Sequence, residues 1–238
     1  MAINMKKRSI YLMPGMAASP NIFEYLKLSE YYEVNYLSWM TPYKNEPLSD
    51  YAQRMCVRIN DENPILIGVS FGGLLVQEIS RFLKCEKVII ISSIKSNHEL
   101  PAHMKIAQKT KVHKLLPTQW IENIESLAMF AFGKDLKRRV SLYQRYLSER
   151  DHRYLDWSIN QLVNWNRSKA DETVIHIHGL KDSVFPIKNI QKPYIEIDGN
   201  HSIVLTQSQW LNKNLPKIIS NNIIDLDNLE VSNQSFKK

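Results

Sequence analysis

Pro64-Ile65-Leu66-Ile67-Gly68-Val69-Ser70-Phe71-Gly72-Gly73-Leu74-Leu75-Val76 is the stretch on which the reading of this chain turns. An apolar run leads into a serine bracketed by glycines, and from Leu74 to Leu83 apolar residues recur at helical spacing, so strand, tight turn and helix are expected in succession. A serine at the tip of such a turn is presented outward by a strained backbone, and the residues two before and two after it must be small if strand and helix are to approach. Gly68 and Gly72 meet that demand. The chain has only seven glycines, and six of them fall in four short segments: Gly15, the trio Gly68, Gly72 and Gly73, Gly179, and Gly199. Composition alone gives a G-x-S-x-G match about 0.02 times in a chain of this length.

Outward from the serine, short apolar runs recur at Ser9 to Met13, Glu33 to Leu37, Pro64 to Val69, Lys87 to Ser92, Thr173 to His178 and Tyr194 to Ile197. Several are apolar on consecutive residues, Val88-Ile89-Ile90-Ile91 most clearly, which fits strands buried on both faces of a parallel sheet. Residues 20–30, 48–60, 73–84 and 206–219 carry apolar residues at three and four spacing and are expected as helices. The pattern is that of a doubly wound, mostly parallel six-stranded α/β sheet. The connection across residues 94–172 is far longer than a crossover helix needs. It is helix-patterned, with Trp120, Ile121, Ile124, Leu127, Ala128 and Ala131 on one face, then Leu142, Tyr146, Leu155, Ile159, Leu162 and Val163. This assigns 1–96 and 171–224 to the core, 97–170 to an inserted helical lid, and 225–238 to a polar tail.

With 238 residues, 44% of them hydrophobic, the chain buries a core without disulfide or metal staples. Cys56 and Cys85 read as reduced thiols in helical surroundings, which points to a reducing, cytoplasmic setting. Lys6-Lys7-Arg8 precedes too short an apolar run for a secretion signal, and no apolar run is long enough to span a membrane. A net charge of +7 comes without a nucleic-acid motif or a block of like charges, so it reads as a solvated basic surface, with neither nucleic acid nor membrane as partner.

A serine hydroxyl is a weak nucleophile. It needs a base to take its proton and a third group to fix and support that base. In an open α/β sheet these groups come from loops at the carboxyl ends of strands. Thr173 to His178 runs into Gly179-Leu180-Lys181-Asp182, and Tyr194 to Ile197 runs into Asp198-Gly199-Asn200-His201. His201 is the base and Asp182 the acid, with Asp198 its rival. His176 and His178 alternate along a strand and share a face, as a metal pair would, but no third ligand is evident, and they read as structural or loop-shaping.

Gly68-Val69-Ser70-Phe71-Gly72-Gly73, His178-Gly179-Leu180-Lys181-Asp182-Ser183-Val184-Phe185-Pro186 and Gly199-Asn200-His201, in the order serine, acid, histidine, resemble the elbow, acid-loop and histidine-loop motifs of lidded α/β-hydrolases. The resemblance implies a strand order 2-1-3-4-5-6, with Met13-Pro14-Gly15-Met16 and Ser70 meeting at the switch point between strands 1 and 3. It implies an oxyanion hole from the backbone N–H groups of Phe71 and Met16. Many relatives have His-Gly where this chain has Pro14-Gly15, so the bonds that shape this loop must differ. It implies Asp182 rather than Asp198 as the acid.

The implied activity is cleavage of a carboxylic ester or thioester with an apolar acyl group, through an acyl-enzyme, with no metal and no organic cofactor. A serine in place of aspartate sets aside dehalogenase and epoxide hydrolase chemistry. Carbon–carbon bond hydrolases, haloperoxidase-like relatives and lactonases share the same triad. A non-catalytic ligand-binding protein on the same scaffold is the alternative of a different class, and its signature would be a broken triad. The lid aromatics Phe130, Phe132, Trp157 and Trp165 read as core, one or two of them roofing the pocket. Lys134, Lys137, Arg138, Arg139, Arg145, Arg150, Arg153 and Arg167 make the lid basic, and some lidded carboxylesterases dock acidic acyl carrier proteins on such residues. His98, His103 and His113 are assigned no role.

Overall fold

Six strands lie parallel in one sheet, in the order β2-β1-β3-β4-β5-β6, in a computed structural model that describes residues 7–111 and 145–220. They are β1 (Arg8–Met13), β2 (Tyr32–Tyr36), β3 (Ile65–Val69), β4 (Lys87–Ile91), β5 (Ile175–Gly179) and β6 (Ile195–Ile197). Every residue of β3 and β5 is buried, as are Val88 to Ile91 of β4. That is why these strands read as unbroken apolar runs, since helices cover both faces. The edge strands differ: β2 is partly exposed along its length and β6 spans only three residues. Met13 of β1 lies beside Gly68 of β3. The loop after β1 and the turn after β3 therefore leave the sheet side by side at the point where strand order reverses, which is where α/β folds place ligands.

Helix α1 (Leu48–Met55) buries Leu48, Tyr51, Ala52 and Met55, one stripe at three and four spacing. Helix α2 (Phe71–Ile79) follows the serine without a gap, and all nine of its residues are buried. It stops at Ile79 rather than at 84 because the next turn closes on three-residue hydrogen bonds, Arg81 N to Glu78 O and Phe82 N to Ile79 O. The helix expected over 206–219 is α6 (Ser208–Ser220), preceded by the short α5 (Ile203–Thr206), both numbered after the two helices among the insertion's described residues.

The helix expected over 20–30 is replaced by a single 3-10 turn at Pro20–Phe23. Beyond it, the backbone groups a helix would use are bonded elsewhere: Asn212 of α6 accepts from Lys27 N at 2.7 Å and donates to Tyr25 O at 2.9 Å. A side chain distant in sequence has overridden local propensity.

Between β4 and β5 the described residues include α3 (Ala102–Thr110) and α4 (His152–Val163). Tyr154, Leu155, Trp157, Leu162 and Val163 of α4 are buried. The face expected around Trp120 to Ala131, with Leu142, lies outside the described residues, as does the tail 225–238.

Candidate active site

Ser70 stands between β3 and α2 with φ 53° and ψ −122°, a conformation that costs a side-chain-bearing residue on the order of 1–3 kcal/mol. Its neighbours hold it there. Ser70 N donates to Ile91 O at 2.9 Å, and Ser70 O accepts from Gly73 N at 2.9 Å and from the Ser93 hydroxyl at 2.7 Å. A Cβ on Gly68 would sit 2.6 Å from the Gly72 carbonyl carbon, and one on Gly72 would sit 2.6 Å from Met13 O. Both obstacles are backbone and cannot move aside.

His201 Nε2 lies 2.9 Å from Ser70 Oγ, and His201 Nδ1 lies 2.8 Å from Asp182 Oδ2. The other carboxylate oxygen, Oδ1, accepts two backbone N–H bonds, from Val184 at 2.8 Å and Phe185 at 2.9 Å. Burial acts to raise the Asp182 carboxyl, but the His201 imidazole beside it, His178 and the Phe185 N–H outweigh it and hold the group below its ordinary pKa. Asp198, the rival acid, is half-exposed and pairs with Lys181 Nζ at 2.6 Å instead. The loops that carry Asp182 and His201 are laced together, with Leu180 N donating to Ile197 O and Lys181 N to Gly199 O, both at 2.9 Å. Gly179 is required at that crossing, because its Cβ would lie 2.6 Å from Gly199 O.

The loop after β1 places Gly15 against Ser70, and Met16 lines the same cavity. Phe71 is the first residue of α2, so its N–H has no intrahelical acceptor and stays available beside Ser70. The bonds that shape the loop in the presence of Pro14-Gly15 come from distant aromatics. Trp39 Nε1 donates to Gly15 O at 2.9 Å, and the Tyr154 hydroxyl accepts from Ala17 N at 3.2 Å, with Ala17 itself at φ 62°. The insertion adds two backbone bonds, Ser19 N to Tyr146 O and Glu149 N to Ala17 O, each at 3.0 Å. Trp39 stacks on Phe71 with ring centroids 5.2 Å apart, and Trp157 meets the same ring edge-on at 5.8 Å. Sequence reasoning missed Trp39, Tyr154 and Ser93. None of them stands in a motif, and each acts through contacts with residues far along the chain.

A cavity of about 40 Å³ opens on Ser70 and His201, walled by Met16, Ala18, Ile22, Leu147, Val204 and Leu205. Trp157 and Trp165 do not line it; Trp157 Nε1 donates to Glu46 O and Trp165 Nε1 to Glu78 Oε1. Phe130 and Phe132 lie outside the described residues, as do His113, Lys134, Lys137, Arg138 and Arg139. Of the remaining basic residues, Arg145 pairs with Glu24, Arg150 bonds to Leu147 O, Arg167 bonds to Gln77 Oε1, and Arg153 is exposed on α4. His176 and His178 are buried and hydrogen-bonded to each other at 3.0 Å.

No protein-family model and no curated protein sequence matches this chain. Solved structures do. The chain is similar to a hydrolase from Oleispira antarctica (13% identity, TM-score 0.67, covering 91% of this chain and 92% of that one). It is also similar to an esterase from Exiguobacterium antarcticum (16%, TM-score 0.66, covering 91% and 93%) and to the enol-lactonase from Burkholderia xenovorans (11%, TM-score 0.64, covering 91% and 92%). These likenesses run nearly end to end in both partners. At such identities they establish architecture: the chain has the α/β-hydrolase fold. Among the described residues no helix is long and apolar enough to cross a membrane.

Proposed function

We propose that this α/β-hydrolase-fold chain is a serine hydrolase that cleaves a carboxylic ester or thioester through an acyl-enzyme. The observation that carries the reading is the unbroken hydrogen-bonded path from Ser70 Oγ through His201 to a buried Asp182, starting at a serine held at φ 53°. Strain of that kind persists only where surrounding contacts impose it, and it is concentrated at functional sites.

The roles follow from the geometry. Ser70 Oγ attacks the acyl carbon while His201 Nε2 takes its proton, and the carbonyl oxygen becomes an oxyanion held by the N–H groups of Phe71 and Met16. As the tetrahedral adduct collapses, His201 returns the proton to the leaving alcohol or thiol. Water then repeats the sequence on the acyl-enzyme, and the freed acid leaves with Ser70 restored. Asp182 holds the His201 proton on Nδ1 and supports the imidazolium in each half-reaction. Every group these steps call on belongs to the chain, to the substrate or to water.

The walls at Ile22, Leu147, Val204 and Leu205 suit an apolar acyl group. On the same measure a single water needs about 10–15 Å³, so the cavity suits an acyl group of a few carbons. Leu147 belongs to the span 97–170, and with Tyr154 it supports reading that span as a cover over the core formed by 1–96 and 171–224. Docking of an acidic carrier protein draws no support from Arg145, Arg150 and Arg167, which are engaged within the chain, and would fall to Arg153, exposed on α4.

Labelling with a fluorophosphonate probe tests the reading. Covalent labelling of the wild type, lost in both Ser70→Ala and His201→Ala, is the expected result. A folded wild-type protein that does not label would withdraw the catalytic reading and favour a ligand-binding role on the same scaffold.

A further inference from the structure

Behind Asp182 the hydrogen-bonded path continues. His178 Nε2 is 2.8 Å from Phe185 O, and His178 Nδ1 is 3.0 Å from His176 Nε2. A carbonyl oxygen only accepts, so the bond to Phe185 requires the His178 proton on Nε2, which leaves Nδ1 as a lone pair that needs a donor. His176 supplies it from Nε2–H. The direction of every bond is thereby fixed: His176 donates to His178, and His178 donates to Phe185.

Phe185 is the residue through which this order reaches the site. Its N–H donates to Asp182 Oδ1 at 2.9 Å, and its ring packs edge-on against the His201 imidazole with centroids 5.6 Å apart. One residue thus touches both acid and base, and its carbonyl is held by His178. His178 Nε2 also lies 3.6 Å from Asp182 Oδ2, the oxygen that serves His201. A charged His178 would compete there for the carboxylate. We propose that His176 is a positioning residue for this site: by donating to His178 Nδ1 it keeps His178 a neutral Nε2–H donor, which fixes the Phe185 peptide and ring and, through them, Asp182 and His201.

Other features agree. Burial, with His178 and Lys95 nearby, holds His176 far below the ordinary histidine pKa, and burial lowers His178 despite the pull of Asp182 and the Phe185 carbonyl. The pair is therefore uncharged at neutral pH. His176 Nδ1 completes no hydrogen bond among the described residues, although the Ser93 backbone near the imidazole pulls its pKa upward against burial. Its Nε2 is thus the atom engaged. Glutamine can offer an N–H at a comparable reach from the backbone, whereas leucine fills similar space with no donor.

The inference rests on the serine hydrolase reading for its consequence but not for its geometry, so two readouts separate them. Nitrogen-15 NMR of the wild-type imidazoles, with His176→Gln used for assignment, is expected to show both histidines neutral with the proton on Nε2. Turnover of a short p-nitrophenyl ester by His176→Leu is expected to fall about ten- to a hundredfold in kcat with KM within about twofold, the cost of a misplaced acid and base, and His176→Gln is expected to restore most of it. A His178 protonated on Nδ1 in the wild type overturns the proposal. So does a folded His176→Leu protein with wild-type kcat, or a His176→Gln protein as impaired as His176→Leu. If His176→Leu does not fold, the wild-type tautomers and the glutamine variant still decide. A wild type with the expected tautomers but without fluorophosphonate labelling would sink the hydrolase reading alone.

Discussion

Replacing Asp182 by asparagine changes one atom and should disable the site, for a reason that can be worked out bond by bond. Oδ1 accepts from Val184 N at 2.8 Å and Phe185 N at 2.9 Å, while Oδ2 faces His201 Nδ1 at 2.8 Å. An asparagine must put its carbonyl oxygen where the two N–H donors point, since its amide nitrogen there would face two donors with none to accept. Its NH₂ then occupies the Oδ2 position and donates to His201 Nδ1, which must present a lone pair. The imidazole proton is forced to Nε2, aimed at Ser70 Oγ, and a nitrogen that already carries a proton cannot take another from the serine. The wrong tautomer in a Ser-His-Asp site costs about 10⁴ in kcat, or about 5.4 kcal/mol of barrier. The assay is turnover of p-nitrophenyl acetate at mildly alkaline pH, with thermal unfolding as a control for folding. Asp198→Asn is the paired control: its partner Lys181 is exposed, an exposed pair contributes about 0–1 kcal/mol to stability, and turnover should stay within about twofold of wild type. Asp182→Asn with more than about a tenth of wild-type kcat, or Asp198→Asn with an equal loss, would refute the tautomer argument.

Ser70→Gly should be inactive yet about 1 kcal/mol more stable than Ser70→Ala in urea at unchanged m-value, because glycine relieves the φ 53° strain that alanine retains, less its own backbone entropy; equal midpoints would mean the turn is not strained. Tyr154→Phe should leave Ala17 N–H buried without a partner, costing about 1–3 kcal/mol of stability and lowering kcat more than it changes KM; an unchanged kcat would detach Tyr154 from the site. Across p-nitrophenyl acetate, butyrate, hexanoate and octanoate, kcat/KM should fall beyond butyrate, and Leu147→Ala should move the fall to a longer chain; a flat series would contradict a fit of the acyl group to the small cavity. The Asp182 carboxyl has a folded-state pKa below its unfolded value of about 3.9, so its stabilisation is complete above that value and is lost as pH drops through the folded one. The stability gap between wild type and Asp182→Asn should therefore narrow only below about pH 4, and a gap constant into strong acid would show that the carboxyl is not held low.

What could be read from the sequence divides along a physical line. Gly68, Gly72 and Gly179 were legible because each lies where two backbones nearly touch, and no other residue satisfies that constraint. The inner strands were legible because a strand covered on both faces has no position left for a polar residue, as Val88 to Ile91 show. Asp182 and His201 were legible as side chains just beyond strand ends, on loops that the parallel topology brings together. The misplaced helix over 20–30 shows the limit: its apolar spacing is real, but Asn212 takes up the backbone groups at Tyr25 and Lys27 that a helix would need. Ser93, Trp39 and Tyr154 were invisible for the same reason, each acting on residues far away in the chain.

That division bears on how the site works. The residues proposed to do chemistry are announced by backbone constraints close to them in sequence. The residues that aim them come from elsewhere: Ser93 from the end of β4, Trp39 from the loop after β2, Tyr154 from the insertion, and His176 from β5. Ser93, Trp39 and Tyr154 reach their partners across long stretches of chain with no local repeat to mark the contact, and His176 acts through its strand neighbour His178. The elbow strain at Ser70, the left-handed Ala17 and the two N–H bonds on Asp182 Oδ1 all depend on such bonds, so the precision of the site is a property of the assembled sheet and insertion. A fragment carrying only 1–96 would retain the serine motif and the Ser93 bond, but it would lack Tyr154, Asp182, His201 and the histidine pair. The same reasoning makes the aiming residues the sharper test of the whole account, since replacing Ser70 or His201 removes activity under many mechanisms. A loss in kcat alone on removing the His176 donor, reversed by an amide that restores it, is expected only if the path runs through His178 and Phe185 to Asp182.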